Sequence, residues 1–291
     1  MAPGDLITRD GQIEFNGLLM GAGTPYGNLK LQGWHDMSLT LGNKPRNNRH
    51  GSYPGKARQP ERAITWDFKM WPDRPGFVAA HDALERATEI PQGATELPLV
   101  IRTRGTPWMV HAKCDTRLLP ADRLFYAGVP EGTLRWIASD PRRMELTERT
   151  ATIAAATAAV GGLPYPLVYP LDYGTPGAPS SAVCTNFGTV ETHPVLTFVG
   201  PINQPRVLNS TLGRQLEFGI DLLLGQTLTI DTAANTVLLN GVTDRLYTRT
   251  DRSVPAELFW FARGDNVLTL LAAEIGGPPA KLTITWRSAR S

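Results

Sequence analysis

The side chains able to do acid–base, nucleophilic or metal chemistry are dispersed along this chain, and their spacing argues against a reaction centre. His35, His50, His81, His111 and His193 offer imidazoles for proton transfer or zinc. No two stand four residues apart, and none is read with a cysteine or acid at ligand spacing, so no metal site is expected. Cys114 and Cys184 lie 70 positions apart with no paired base beside either. Neither a disulfide, a thiolate metal site nor a thiol nucleophile follows from that arrangement. No GxSxG elbow presents a serine. Asp221, Asp231, Asp244 and Asp251 have the chemistry of a glycosidase carboxylate pair, but turn positions account for each of them. Gly21, Gly23 and Gly27 mimic a phosphate loop, yet Pro25 intervenes and a strand-like stretch follows where a helix N-terminus is required. No catalytic, cofactor-binding or metal-binding residue is assigned, and the chain reads as something other than an enzyme.

Binding chemistry leaves more traces. Between residues 42 and 62 stand Lys44, Arg46, Arg49, Lys56, Arg58 and Arg62 against the single acid Glu61, with Pro and Gly breaking any period. This is a basic loop or extended arm, suited to a solvated surface, to acids on a neighbouring subunit, or to a pore that passes nucleic acid. Trp34 and Trp71 fall in loop contexts and are candidate interface aromatics, whereas Trp66 and Trp108 alternate with polar residues and belong in a core. Tyr247, Phe259 and Trp260 are the local aromatic candidates for a sugar-binding face. Arg263-Gly264-Asp265 has the letters of an adhesion tripeptide but the composition of a turn between strands, and Asn209-Ser210-Thr211 would be a glycosylation acceptor only after secretion.

The elements that hold these residues are mostly strands. With 291 residues, 42% hydrophobic, 28 Gly and 24 Pro, the chain suits one or two turn-rich globular domains, of which two is the better expectation. Its net charge of +2 gives no global field for nucleic acid or anionic membrane. Asp5 and Arg9 interrupt what a signal peptide would keep apolar. The apolar stretch from residue 153 is broken by Gly161, Gly162, Pro164 and Pro166, well short of the about 20 residues a membrane helix needs, so no insertion is expected. Asp10-Gly11 predicts a hairpin between Leu6-Ile7 and the alternating Ile13 and Phe15. Ile64, Trp66, Phe68 and Met70 share one face of a strand over 63–70. Phe77, Ala80, His81, Leu84 and Ala87 recur at helical spacing, giving one helix near 76–90 that Pro91 ends. Strands follow at 97–102, 108–114 and 133–138. Asp140-Pro141 then marks a boundary between domains 1–141 and 142–291. The second begins with a strand within 145–155 and a Pro/Gly/Tyr-rich connector over 161–180. Short strands succeed it at 195–199, 206–209, 215–220, 227–230, 236–239, 258–261, 267–271 and 281–286, the signature of a β-sandwich. The fold class is mostly β with one helix, α+β.

Taken in order, GDLITRDGQIEFNG at the start, the basic arm leading into RAITWDF, the boundary WIASDPRR, and then GGLPYPLVYPLDYG, VLTFVGPINQPRVLN, TLTIDTAANTVLLNG, FWFARGDNVLTL and KLTITWRSA resemble the distal tail protein family of long-tailed, siphovirus-type bacteriophages, particularly those of actinobacteria. The likeness spans nearly the whole chain and brings no catalytic motif with it. It implies an N-terminal ring-forming β domain with one helix, closing with its copies into a hexamer, and a galectin-like β-sandwich facing outward. It implies a structural virion protein at the distal end of the tail, assembled in the host cytoplasm, that joins the tail tube to the tail-tip hub. The implied partners are the tail tube protein, the hub protein, the tape-measure protein, receptor-binding proteins and DNA in transit through the lumen. The rival expectations are a carbohydrate-binding module of the tail tip and a tail-tip hydrolase.

Overall fold

The computed structural model describes residues 2–72, 74–89, 93, 95–155, 180–273 and 280–291. The expected helix stop at Pro91 and nearly all of the 161–180 connector, with its GGLPYPLVYPLDYG segment, lie outside the described residues. The chain divides into two compact units, the first ending at Leu146 and the second starting at Thr147. The division falls after Asp140-Pro141 because Arg143–Glu145 still pairs with the first unit's sheet, Trp108 opposite Glu145 and Met109 opposite Met144.

The first unit contains β1 (Gln12–Phe15), β2 (Leu18–Gly21), β3 (Tyr26–Gln32), the short pairs β4 (Thr40–Leu41), β5 (Lys44–Pro45), β6 (Ser52–Tyr53) and β7 (Ala57–Arg58), then β8 (Arg62–Met70), α1 (Phe77–Ala87), β9 (Leu97–Thr103), β10 (Thr106–Leu118), α2 (Arg123–Tyr126), β11 (Glu131–Ala138) and β12 (Arg143–Glu145). Its antiparallel sheet runs β2-β1-β9-β10-β11-β8-β3. β10 serves three neighbours: residues 106–112 pair with β9, Trp108 and Met109 also with β12, and 113–118 with β11, the last pairing having an irregularity between Cys114 and Thr116.

The strict alternation of Ile64, Trp66, Phe68 and Met70 puts all four in the core. The hairpin, however, turns at Asn16-Gly17, not at Asp10-Gly11. Asn16 and Gly17 both take positive φ, 47° and 77°, and β1 pairs with β2 across them. Asp10 is engaged elsewhere, accepting from the Gly105 backbone N–H at 2.9 Å and facing Arg102 at 3.2 Å. The helix presents Leu84 to this core, with Phe77 and Ala80 packed beside it, and Tyr26 donates its hydroxyl proton to the Ala80 carbonyl at 2.7 Å. Thr88 ends α1 by donating its backbone N–H and its hydroxyl back to Leu84. The second helix, α2, escapes a periodicity search because it is four residues long; Asp122 caps it, accepting from Leu124 and Phe125 backbone N–H.

The second unit contains β13 (Arg149–Ala154), β14 (Ser181–Asn186), β15 (Val195–Val199), β16 (Ile202–Asn209), β17 (Arg214–Glu217), β18 (Asp221–Leu222), β19 (Thr227–Asp231), β20 (Thr236–Leu239), β21 (Thr243–Asp244), β22 (Gly264–Ala273), β23 (Lys281–Trp286) and β24 (Ala289–Arg290). All of these but β24 build a sheet of order β13-β23-β15-β19-β20-β21 and another of order β14-β22-β16-β17, with β18 on β16. Leu196, Phe198, Leu228, Ile230, Leu282 and Ile284 of the first share one buried cluster with Cys184, Val207, Leu216, Leu268 and Leu270 of the second. Two antiparallel sheets facing across one apolar layer are the economical way to bury alternating strands. The expected strand at 258–261 is instead a 3-10 turn, Ala256–Leu258, followed by an isolated bridge from Phe261 to Thr192. Phe259 and Phe261 are buried from this irregular segment, so apolar content alone imitates a strand there. β14 lies outside the strands expected from sequence, since SAVCTN has no aromatic residue and no large aliphatic one beyond Val183; it is held by pairing along β22.

Candidate functional site

The basic arm is a hairpin bent back on itself. Thr40 and Leu41 pair with Arg58 and Ala57, and Lys44 and Pro45 pair with Tyr53 and Ser52. Lys44, Arg46, Arg49, Lys56 and Arg58 are all exposed, and none of the five makes an ion pair among the described residues. Arg46 instead lies over the Tyr53 ring, 5.0 Å from its centroid. Met37, Leu39, Leu41 and Tyr53 on the same segment are about half exposed or more. Unneutralised cations interleaved with exposed apolar side chains make a surface whose burial would be favourable only against a partner that supplies acids.

Arg62 does not belong to that surface. It is 4% exposed at the start of β8, where one guanidinium nitrogen donates to the carbonyls of Gly33, Trp34 and Asp36 at 2.8, 3.0 and 3.1 Å, and Nε donates to Pro141 at 2.7 Å. Burial lowers its pKa, and Asp36 partly offsets this. Its role is to fasten the root of the arm. Trp34, expected at an interface, is 1% exposed and part of the first core, with the Arg143 guanidinium 5.6 Å over its ring. The loop assignment from sequence was right about the backbone and wrong about the side chain. Trp71 is 54% exposed and lies against Gly27, where a Cβ would come within 2.0 Å of the indole. Only glycine lets the ring sit flat there.

In the second unit the three aromatics do not form a common face. Phe259 is fully buried, and Arg214 covers half-buried Trp260 at 4.3 Å. Tyr247 is 75% exposed and borders a cavity of about 430 Å³ with Asn235, Asp244, Leu246, Arg249 and Pro255. Of the dispersed acids, Asp231 accepts from Ala233 and Ala234 backbone N–H and Asp244 from Leu246, each organising its own turn. Asp265 of the adhesion-like tripeptide pairs along β14 and accepts from the Thr185 hydroxyl at 2.6 Å. Asn209 is buried, its side-chain oxygen accepting from Thr211 and Leu212 backbone N–H.

Both cysteines are buried thiols. Burial pushes Cys114 from its ordinary 9.0 up to about 11 and Cys184 up to about 12. Two consequences are measurable. At pH 8 a thiol reagent should leave the native protein unlabelled and label both positions after denaturation. Because both pKa values are raised in the folded state, their contribution to stability is complete below pH 9 and is lost as pH rises through about 11 and 12, so a denaturation series above pH 9 should show falling stability. Rapid labelling of the native protein would contradict this placement.

One histidine does have acidic neighbours. On α1, His81 Nδ1 stands 3.9 Å from both Asp82 Oδ1 and Glu85 Oε2. Glu85 is four positions after His81, so this histidine has an acidic partner at ligand spacing, against the expectation from sequence, and helical spacing is the signal for it.

The described residues thus combine an exposed charged arm, two β-rich units and acids that organise their own turns. Residues 187–289, within the second unit, match the family described as Siphovirus-type tail component, C-terminal domain. The second unit is therefore similar to the C-terminal domain of a phage tail component. Among solved structures the Dit protein of phage SPP1, described as a paradigm of the hub adsorption apparatus of phages infecting Gram-positive bacteria, aligns over 94% of this chain and 97% of its own, with a TM-score of 0.63 and 12% identity. The baseplate of phage P2 in its calcium-activated conformation aligns over 90% and 91%, at 0.49 and 9%. None of the curated proteins compared with the chain matches it. The resemblance to the distal tail proteins of siphoviruses read from the sequence holds.

Proposed function

We propose that this protein is a structural adaptor of the phage tail tip: the first unit closes with its copies into a hexameric ring between the tail tube and the tail-tip hub, and the second, a galectin-like sandwich, faces outward. The observation that carries the reading is the tail-component match inside one unit combined with a fold alignment that runs through both. The ring surrounds the tape-measure protein during assembly and later the passing DNA, and its outward units offer attachment to receptor-binding proteins.

The arm supplies either a contact to acids on the neighbouring subunit or a basic lining to the lumen. Its five exposed cations have no acids of their own, which favours either use over a structural one. Purified protein should sediment as a closed ring at micromolar concentration, and averaged electron images should show its symmetry. A strict monomer that fails to join tail tubes would overturn the adaptor reading. Replacing Arg46, Arg49 and Arg58 with Glu should break the ring if the arm meets acids on its neighbour. The same replacements should leave particles assembled but slow DNA ejection if the arm lines the lumen. Normal rings with normal ejection would exclude both uses.

A further inference from the structure

We propose that His81, Asp82 and Glu85 form a surface site for a borderline divalent cation of the zinc kind, pinned on α1 of the first unit. The three ligand atoms, His81 Nδ1, Asp82 Oδ1 and one Glu85 oxygen, all lie within 4.8 Å of one another. His81 Nδ1 is 3.9 Å from each carboxylate, too far for a hydrogen bond. A zinc ion about 2.1 Å from both partners spans a nitrogen–oxygen separation of roughly 3.4 Å at a tetrahedral angle, so a side-chain shift of about half an ångström closes the site.

The surroundings pre-orient two of the three ligands. His81 packs against a pair of aromatic rings, 6.1 Å from Phe77 and edge-on to Phe125 at 5.7 Å, which limits how the imidazole can rotate. Glu85 divides its oxygens: Oε1 takes the Arg117 guanidinium at 3.3 Å and Oε2 faces the imidazole. Arg117 is itself anchored, donating to the Glu85 backbone carbonyl at 3.1 Å and the Thr88 hydroxyl at 2.9 Å. A ligating carboxylate held by a second partner is the usual arrangement around bound metals. One imidazole and two carboxylates suit zinc or its first-row neighbours better than calcium, which prefers oxygen alone. The remaining coordination positions face solvent, since the Asp82 side chain is more than half exposed. The cation thus bridges the second and third turns of α1 and stiffens the helix; it serves no reaction.

Calorimetric titration of the full-length protein with zinc chloride, paired with thermal unfolding, tests the site. One equivalent should bind, with an accompanying rise in the unfolding temperature. Asp82→Asn and Glu85→Gln should each weaken binding at least tenfold while leaving the metal-free unfolding temperature close to the parent's, and His81→Gln should abolish it. Absence of binding at about 1 mM zinc would overturn the proposal. So would binding that survives all three substitutions undiminished, because the ion would then sit at another histidine.

Discussion

Arg62→Met should lower the stability of the first unit by about 3 kcal/mol, and its effect should be concentrated at the root of the arm. The wild-type guanidinium carries four hydrogen bonds to the carbonyls of Gly33, Trp34, Asp36 and Pro141. Methionine fills a similar volume but leaves those acceptors unsatisfied, at about 1–3 kcal/mol for each that stays away from water. Removing a buried charge relieves some desolvation, in keeping with the lowered pKa of Arg62, but the orphaned carbonyls outweigh it because they belong to two separate segments, 33–36 and 141, that the guanidinium ties together. Arg62→Lys should recover less than half, since one ammonium cannot reproduce the fork. Hydrogen exchange should show faster exchange over 33–41 with no change in β15 and β19 of the second unit. Uniform exchange across the chain, or a loss below about 1 kcal/mol, would show that the arm is anchored by other contacts.

The second large effect belongs to Trp66. It stacks on Phe68 with ring centroids 4.7 Å apart and lies 6.4 Å from Trp136, and its indole N–H donates to Asn28 Oδ1 at 2.7 Å. Trp66→Ala should therefore cost about 4 kcal/mol, the range for emptying a large aromatic site in a packed core. Trp66→Phe should cost about half as much, keeping part of the stack and losing the bond to Asn28. Denaturant midpoints of the two variants would check this order. If the two substitutions cost the same, the packing of the ring is not what matters at this position.

The parts of the fold that could be read in advance are those where each residue reports its own environment. β8 is the clearest case: a period of two over Ile64, Trp66, Phe68 and Met70 has one physical meaning, and all four are buried. The helix around Phe77–Ala87 followed from its own spacing in the same way. The first hairpin was misplaced because Asp10-Gly11 and Asn16-Gly17 are chemically equal turn formers. The choice between them is made by β9, whose Leu99 and Ile101 pair with Phe15 and Ile13 and whose Arg102 lies close enough to hold Asp10.

For the candidate surfaces the division is sharper. That residues 42–62 are basic, turn-rich and exposed along most of their length needed nothing but residue types, because charge without apolar period has nowhere to go but solvent. The mostly β composition and the tail-component likeness were equally legible, being carried by alternation, turns and segment order. Whether a given arginine or tryptophan joined the surface or the core was not. Arg58 and Arg62 are four residues apart in the same run of sequence, yet one is exposed and the other is buried, because only Arg62 meets carbonyls contributed by two distant stretches of chain. Trp34 is buried for the same reason, by neighbours such as Arg143 that lie more than a hundred positions away. Local composition sets what a segment can be; burial depends on acceptors and rings that arrive from elsewhere, and only folding brings them together.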